Sequence, residues 1–307
     1  MATGLALVFL LGVMASAAAV AAPIASAAPM RNWRRHVAAD GSVRELNPST
    51  REWVLVSNVG VGGDNVSPLL AIEGRRFEFD FAAGEFQVSG WPVVVLPAAE
   101  TRDSTVQIDG DTGRTVWDAA VVLSKGFLEH QDATTEVFGL RGKHVLELGA
   151  GTGLAGMAAA VLGAHAVITD LAYCLPDIQR NVNATRKASA ASVSVTVQEL
   201  DWLRPQAFFE SRDSDDNGTL MPFDIVLAAD IVWLDHLVSP LVALLGLLLD
   251  RNAEMQFIFA HQTRSQQTDD AFFGELTARF RVVRVPDTEL HFKFSGSKVQ
   301  VFKATGL

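Results

Sequence analysis

Between Lys143 and Gly156 the chain reads Lys-His-Val-Leu-Glu-Leu-Gly-Ala-Gly-Thr-Gly-Leu-Ala-Gly, and few folds accommodate such a stretch. His144 to Leu148 is apolar, too short for a helix and closed by a glycine, which predicts a buried strand. Gly149, Gly151 and Gly153 follow as a turn in which missing β-carbons let the backbone press close to a ligand. Beyond them Leu154, Ala155, Met157, Ala158, Ala159, Ala160, Val161 and Leu162 are helix formers, so the glycines join a strand to a helix. The N-terminus of that helix offers unpaired N–H groups and partial positive charge to an anionic or carboxylate-bearing ligand. The stretch reads as a nucleotide-type binding turn.

Two ligand classes compete for it. Gly151-Thr152-Gly153-Leu154-Ala155-Gly156 satisfies the literal G-x-G-x-x-G of a dinucleotide-dependent oxidoreductase. The strand, however, already ends two residues before Gly151, and Glu147 stands just ahead of the first glycine. A carboxylate there repels a pyrophosphate and attracts a cation. The order Glu147-Leu148-Gly149-Ala150-Gly151-Thr152-Gly153 resembles motif I of the class I, seven-strand S-adenosylmethionine-dependent methyltransferases. That resemblance implies a cofactor whose methionine end carries an ammonium and a sulfonium, with Glu147, Gly149, Ala150 and Gly151 among the residues that bind it.

The rest of the chain supplies the alternation such a fold requires. His165–Asp170, Val193–Leu200, Phe223–Asp230 and Glu254–His261 read as strands, separated by helical patterns over 171–187, 236–249 and 269–280. Arg281–Val285 and Lys298–Phe302 then close the series as a reversing pair. The expected fold is α/β, a Rossmann-like seven-strand methyltransferase sheet with helices on both faces. Asp170 ends the second strand nineteen residues beyond Gly151, the spacing of a carboxylate that grips ribose hydroxyls.

Ahead of this unit, Thr115 to Leu128 has helical apolar spacing at Val116, Ala120, Leu123 and Phe127. The order Val116-Trp117-Asp118-Ala119-Ala120, followed by a helix and the glycine turn, resembles methyltransferase family 16, mostly lysine methyltransferases. The resemblance spans about Thr115 to Phe302. It implies that Trp117 lines the cofactor pocket, that Asp201 and Trp202 sit beside the adenine, and that Ala229 lies at the cofactor's edge. It also implies that Asp230 orients the acceptor. Asp230-Ile231-Val232-Trp233 departs from the family's Asp-x-x-Tyr by placing tryptophan last, which removes a hydroxyl and leaves an indole able to hold a methylated ammonium. Asp230 and Trp233 are the candidate catalytic residues. His261 at a strand end is a pocket-edge or structural residue rather than a base. A fold that has lost activity and only binds is a third reading, which Trp233 favours.

Three divisions follow: a hydrophobic segment over 1–30, a β-rich extension over 31–114 and a methyltransferase domain over 115–307. In the extension, Trp53–Val56, the alternating aromatics Phe77, Phe79 and Phe81, and Trp91–Leu96 predict short strands. The apolar run Leu5–Val20, with the small residues to Pro29 after it, has no basic residue ahead of it and Arg31, Arg34 and Arg35 behind it. That is the wrong order for a secretory signal and retains the following domain in the cytosol. The alternatives are a membrane anchor, a secreted product or a natural start at Met30, and any membrane contact runs through residues 5–29. The net charge of −10 argues against a nucleic-acid partner, and the single Cys174 excludes an internal disulfide or a cysteine-rich metal site. A monomer acting on a protein substrate, with no metal, is expected.

Overall fold

The computed structural model describes residues 34–37, 43–46, 53–57, 77–98, 112–135, 139–213 and 222–307. The chain forms two compact units, residues 1–58 and 59–307. Within the first, β1 (Arg34–Val37), β2 (Val43–Leu46) and β3 (Trp53–Ser57) make an antiparallel sheet in that order, with β3 where the sequence predicts a strand. The apolar run over 5–29 lies outside the described residues.

The second unit is built on a seven-stranded sheet: β6 (His144–Leu148), β7 (His165–Asp170), β8 (Ser194–Glu199), β9 (Ile225–Ala229), β10 (Gln256–His261), β11 (Phe280–Arg284) and β12 (Gln300–Gly306). Their spatial order is β11-β12-β10-β9-β6-β7-β8. Six strands run one way, and β12 is antiparallel to both its neighbours. From β6 the chain builds outward through β7 and β8, then crosses back to β9 and builds the other way. The crevice at the carboxyl ends of β6 and β9 is therefore the point where an open α/β sheet binds ligands.

Alternation along the strands divides the core in two. Val145, Ala166, Ile168, Leu227 and Ile258 face one layer with α3 (Leu154–Val161) and α4 (Leu175–Ala188). Leu146, Val167, Val226, Phe257 and Phe259 face the other, with α5 (Gln206–Asp213), α6 (Asp235–Leu249) and α7 (Gln266–Leu276). No helix among the described residues is long and apolar enough to cross a membrane.

Three predicted elements take another form. The helix expected from Thr115 starts at Asp118, with Trp117 in extended conformation at its N-cap. It runs as α1 (Asp118–Val121), a π-helical stretch Val122–Glu129 and α2 (His130–Thr134). Gly126 sits in the wide turn, where its carbonyl accepts the His291 N–H at 2.9 Å and a β-carbon would stand 2.9 Å from that of Phe294. The aromatics Phe77 to Phe81 do not form a strand. Asp80 Oδ1 accepts the Ala83 N–H at 2.9 Å and Glu85 Oε2 the Asp80 N–H at 2.6 Å, so local side-chain bonds fold the segment into a turn. Phe79, Phe81 and Phe86 pack ring on ring instead, with centroids 5.2–5.7 Å apart.

Of the run Trp91–Leu96, Trp91–Pro92 (β5) pairs with β4 (Gln87–Val88), and the N–H groups of Val93 and Val95 donate to the Phe86 and Phe81 carbonyls at 2.9 and 3.3 Å. The N–H groups of Val94 and Leu96 turn to Thr185 Oγ1 and Asn181 Oδ1 on α4, each at 2.9 Å. The amide of Asn181 meanwhile donates to the Thr152 carbonyl at 3.0 Å. One buried asparagine thus fastens the 93–96 segment to the glycine turn.

Candidate active site

The glycines after β6 adopt left-handed conformations, with φ of +57° at Gly149 and +56° at Gly151. A β-carbon at Gly149 would lie 3.0 Å from Ile231 Cγ2 and 3.1 Å from Trp202 Cζ2; one at Gly151 would lie 3.2 Å from the Gly113 carbonyl oxygen. The turn is a cradle only where those side chains are missing. Ala150 anchors it by donating its N–H to Thr169 O at 3.0 Å.

Glu147 differs from expectation. Its side chain does not face outward to meet a cation: the residue is 2% exposed and lies beneath the turn, where Oε2 accepts the Gly156 N–H at 2.9 Å. Burial pushes its pKa up to about 8, against the pull of hydrogen bonds from Gly156 and Ala155, and the nearby charge of Asp170 adds to the rise. The first turn of α3 leaves no room for more, since a β-carbon at Gly156 would stand 2.5 Å from that oxygen.

Asp170 closes β7 beside the turn, half-buried. One of its oxygens accepts the Gly151 N–H and the other the Leu171 N–H, both at 2.7 Å. After β8, Asp201 accepts from Leu203 N and from the Arg204 guanidinium at 2.9 Å. Both Asp201 oxygens are engaged in its own loop, and a ligand amine there would share them. The half-buried indole of Trp202 reaches Gly149 from that loop.

At the end of β9, Ala229 is half-buried and Asp230 takes φ +57°, uncommon for a residue with a side chain. Its N–H is held by the Ala260 carbonyl at 2.9 Å. The Asp230 side chain is only 5% exposed: Oδ2 is ion-paired with the guanidinium of Arg264, and Oδ1 has no hydrogen-bond partner among the described residues. Asp230 thus combines an uncommon backbone conformation with a buried, half-satisfied carboxylate. Trp233 follows, half-buried, after the buried Ile231 and Val232. Arg264, on the loop after β10, also lies over the Trp117 ring, 5.2 Å from its centroid. Sequence reasoning missed this arginine, which carries no spacing signal. His261 at the end of β10 is buried, with Nε2 2.9 Å from Asp269 Oδ1. The carboxyl edge of the sheet thus gathers the glycine turn, Asp170, Trp202, Asp230 and, through Arg264, Trp117.

Residues 102–279 match the family described as lysine methyltransferase. The protein N-lysine methyltransferase METTL21A of Mus musculus is 34% identical over 195 residues, which cover 61% of this chain and 81% of that protein. The Danio rerio protein of the same name is 34% identical over 62% of this chain and 75% of its own length. EEF1A lysine methyltransferase 3 of Xenopus tropicalis is 29% identical over 62% of this chain and 73% of that protein. The dinucleotide reading of the glycines falls with these matches. A family match over more than half of the sequence, on a seven-stranded sheet of this order, makes the chain an S-adenosylmethionine-dependent methyltransferase of the lysine methyltransferase family.

Proposed function

We propose that this enzyme methylates the ε-amine of a lysine in a protein substrate. The observation that carries the reading is Asp230, a buried carboxylate at the carboxyl end of β9 with one oxygen that has no partner among the described residues. The relatives named as protein-lysine methyltransferases support the acceptor class.

The chain's residues fit the methyl donor. The turn at Gly149 and Gly151 is packed too closely for a β-carbon, and Asp170 offers carboxylate acceptors for a vicinal diol. We assign donor binding to Trp117, Gly149, Ala150, Gly151, Asp170, Asp201, Trp202 and Ala229, with Glu147 holding the turn from beneath. When bound, S-adenosylmethionine supplies an electrophilic methyl group on a sulfonium. What remains for the protein is alignment and exclusion of water. Asp230 orients the incoming amine by accepting its N–H. Trp233 contributes an aromatic face that favours a cation by about 0.5–2 kcal/mol. The domain that does this is assigned to residues 115–307, with 31–114 as an extension, and acts as a monomer in the cytosol. The net charge of −10 sets a protein acceptor above a nucleic acid.

The test is incubation of the purified full chain with methyl-labelled S-adenosylmethionine and a cell lysate, followed by mass spectrometry. Methyl groups on lysines of a discrete protein are expected; label confined to another residue type overturns the reading.

A further inference from the structure

We infer that Arg264 is a positioning residue for the methyl acceptor: it neutralises Asp230, so that Asp230 Oδ1 can hold the lysine amine without holding it charged. The inference rests on the lysine reading above and adds a residue to it.

A carboxylate beside an amine creates a conflict. It is a good acceptor for the N–H that must be aimed, but its charge favours the ammonium form by about 1–3 pKa units. An ammonium has no lone pair with which to attack a methyl group. Lone Asp230 would therefore bind the acceptor well and hinder its reaction.

The structure resolves that conflict with geometry. The Asp230 and Arg264 side chains are 5% and 11% exposed, and they meet through Oδ2 and one guanidinium nitrogen. Oδ1 is left buried and without a partner among the described residues. The φ of +57° and the N–H bond to Ala260 O fix the backbone from which the carboxylate projects. The carboxylate thus has its charge balanced on one oxygen and its accepting capacity kept on the other. A guanidinium suits this task because it stays protonated across the working range and does not itself donate a proton away. Its second contact, over the face of Trp117, keeps its position fixed from the side assigned to the methyl donor.

The other ionisable groups on the surrounding elements are engaged, although the buried Nδ1 of His261 has no partner among the described residues. His261 of β10 is held by Asp269 of α7, and Asp235 of α6 by the hydroxyl of Thr268. Glu147 lies under the turn on Gly156 N, and Asp118 at the start of α1 is partnered as well. All are common to the wild type and to variants at position 264.

The experiment compares the full-length wild type with Arg264→Gln and Arg264→Lys. Initial rates are measured from about pH 6 to about pH 10 with labelled S-adenosylmethionine and the acceptor protein found in the lysate experiment, and S-adenosylhomocysteine affinity by calorimetry. Arg264→Gln should raise the acidic limb of the rate profile by about one pH unit, so that turnover falls about tenfold near neutrality and recovers at high pH. Its cofactor affinity should match the wild type and its acceptor KM should not rise. Arg264→Lys, which keeps the charge, should restore the wild-type limb. A rate lost equally at every pH, a lost cofactor affinity or a chain that no longer folds makes the ion pair structural and overturns the inference. A wild type that methylates no lysine overturns the lysine reading, and the inference with it.

Discussion

Replacing Glu147 by glutamine should make the second unit more stable in alkali than the natural protein, and the size of the effect follows from burial. The unfolded chain releases this proton near 4.5, whereas the folded site keeps it up to about 8. Between those values folding takes up a proton, so stability falls as pH rises; the contribution of this group is intact below the lower value and lost above the upper one. At about 1.4 kcal/mol per pKa unit, the interval from 4.5 to about 8 amounts to roughly 5 kcal/mol. Glutamine has no proton to lose, and its amide oxygen still accepts the Gly156 N–H that Oε2 holds at 2.9 Å. The two proteins should thus differ little near pH 4.5, and the advantage of Glu147→Gln should grow through neutrality and level off past pH 8. Urea unfolding followed by tryptophan fluorescence at a series of pH values reads this directly. Parallel stability curves for the two proteins would show that Glu147 is ionised in the folded state and that the reasoning fails.

Three further outcomes bear on the site. Gly151→Val should abolish S-adenosylhomocysteine binding in calorimetry with the circular-dichroism spectrum retained, because φ is +56° and the Gly113 carbonyl stands 3.2 Å from the new β-carbon; unaltered affinity would make the turn merely structural. Asp170→Ala should weaken the same ligand by about 1.5–3 kcal/mol, the range for a hydrogen bond to a charged group. Because Asp170 also holds the Gly151 N–H at 2.7 Å, an effect below error would place the ribose elsewhere. Trp233→Ala should lose turnover while cofactor affinity persists, and Trp233→Tyr should preserve or raise turnover. Loss of cofactor binding or of the fold in Trp233→Ala would reduce the indole to core packing.

The central strands were legible in the sequence because they are apolar on both faces and end in turns or acids, as in His144–Leu148 and His165–Asp170. Their positions follow from apolar runs alone, and the helices between them from apolar spacing. Phe77–Phe81 misled for a physical reason: aromatic alternation says which side chains are hidden, not what takes up the backbone hydrogen bonds, and Asp80 and Glu85 took two of them. The start of the first helix slipped because Trp117 caps it in extended conformation. At the site, Asp170 and Asp230 lie at the strand ends where the sequence puts them. Glu147 was placed correctly along the chain and wrongly across it, since a strand residue one position from the turn can point under it as easily as out of it. Arg264 had no signature, because an arginine in a loop acquires meaning only when folding brings it to Asp230.

The reversed strand β12 has a consequence for how the protein is made. It lies inside the sheet, between β10 and β11, yet it is the last of the seven to leave the ribosome. Until Gly306 emerges, β10 shows a bare edge along Gln256–His261, with the aromatic rings of Phe257 and Phe259 beside it. At about 5–20 residues per second, the 45 residues from His261 to Gly306 keep that edge open for roughly 2–9 s in each nascent chain. An unpaired edge of this kind recruits strands from other chains. Overproduction should therefore lose this enzyme to aggregation during synthesis, and slowing initiation should recover it better than any change to the folded surface.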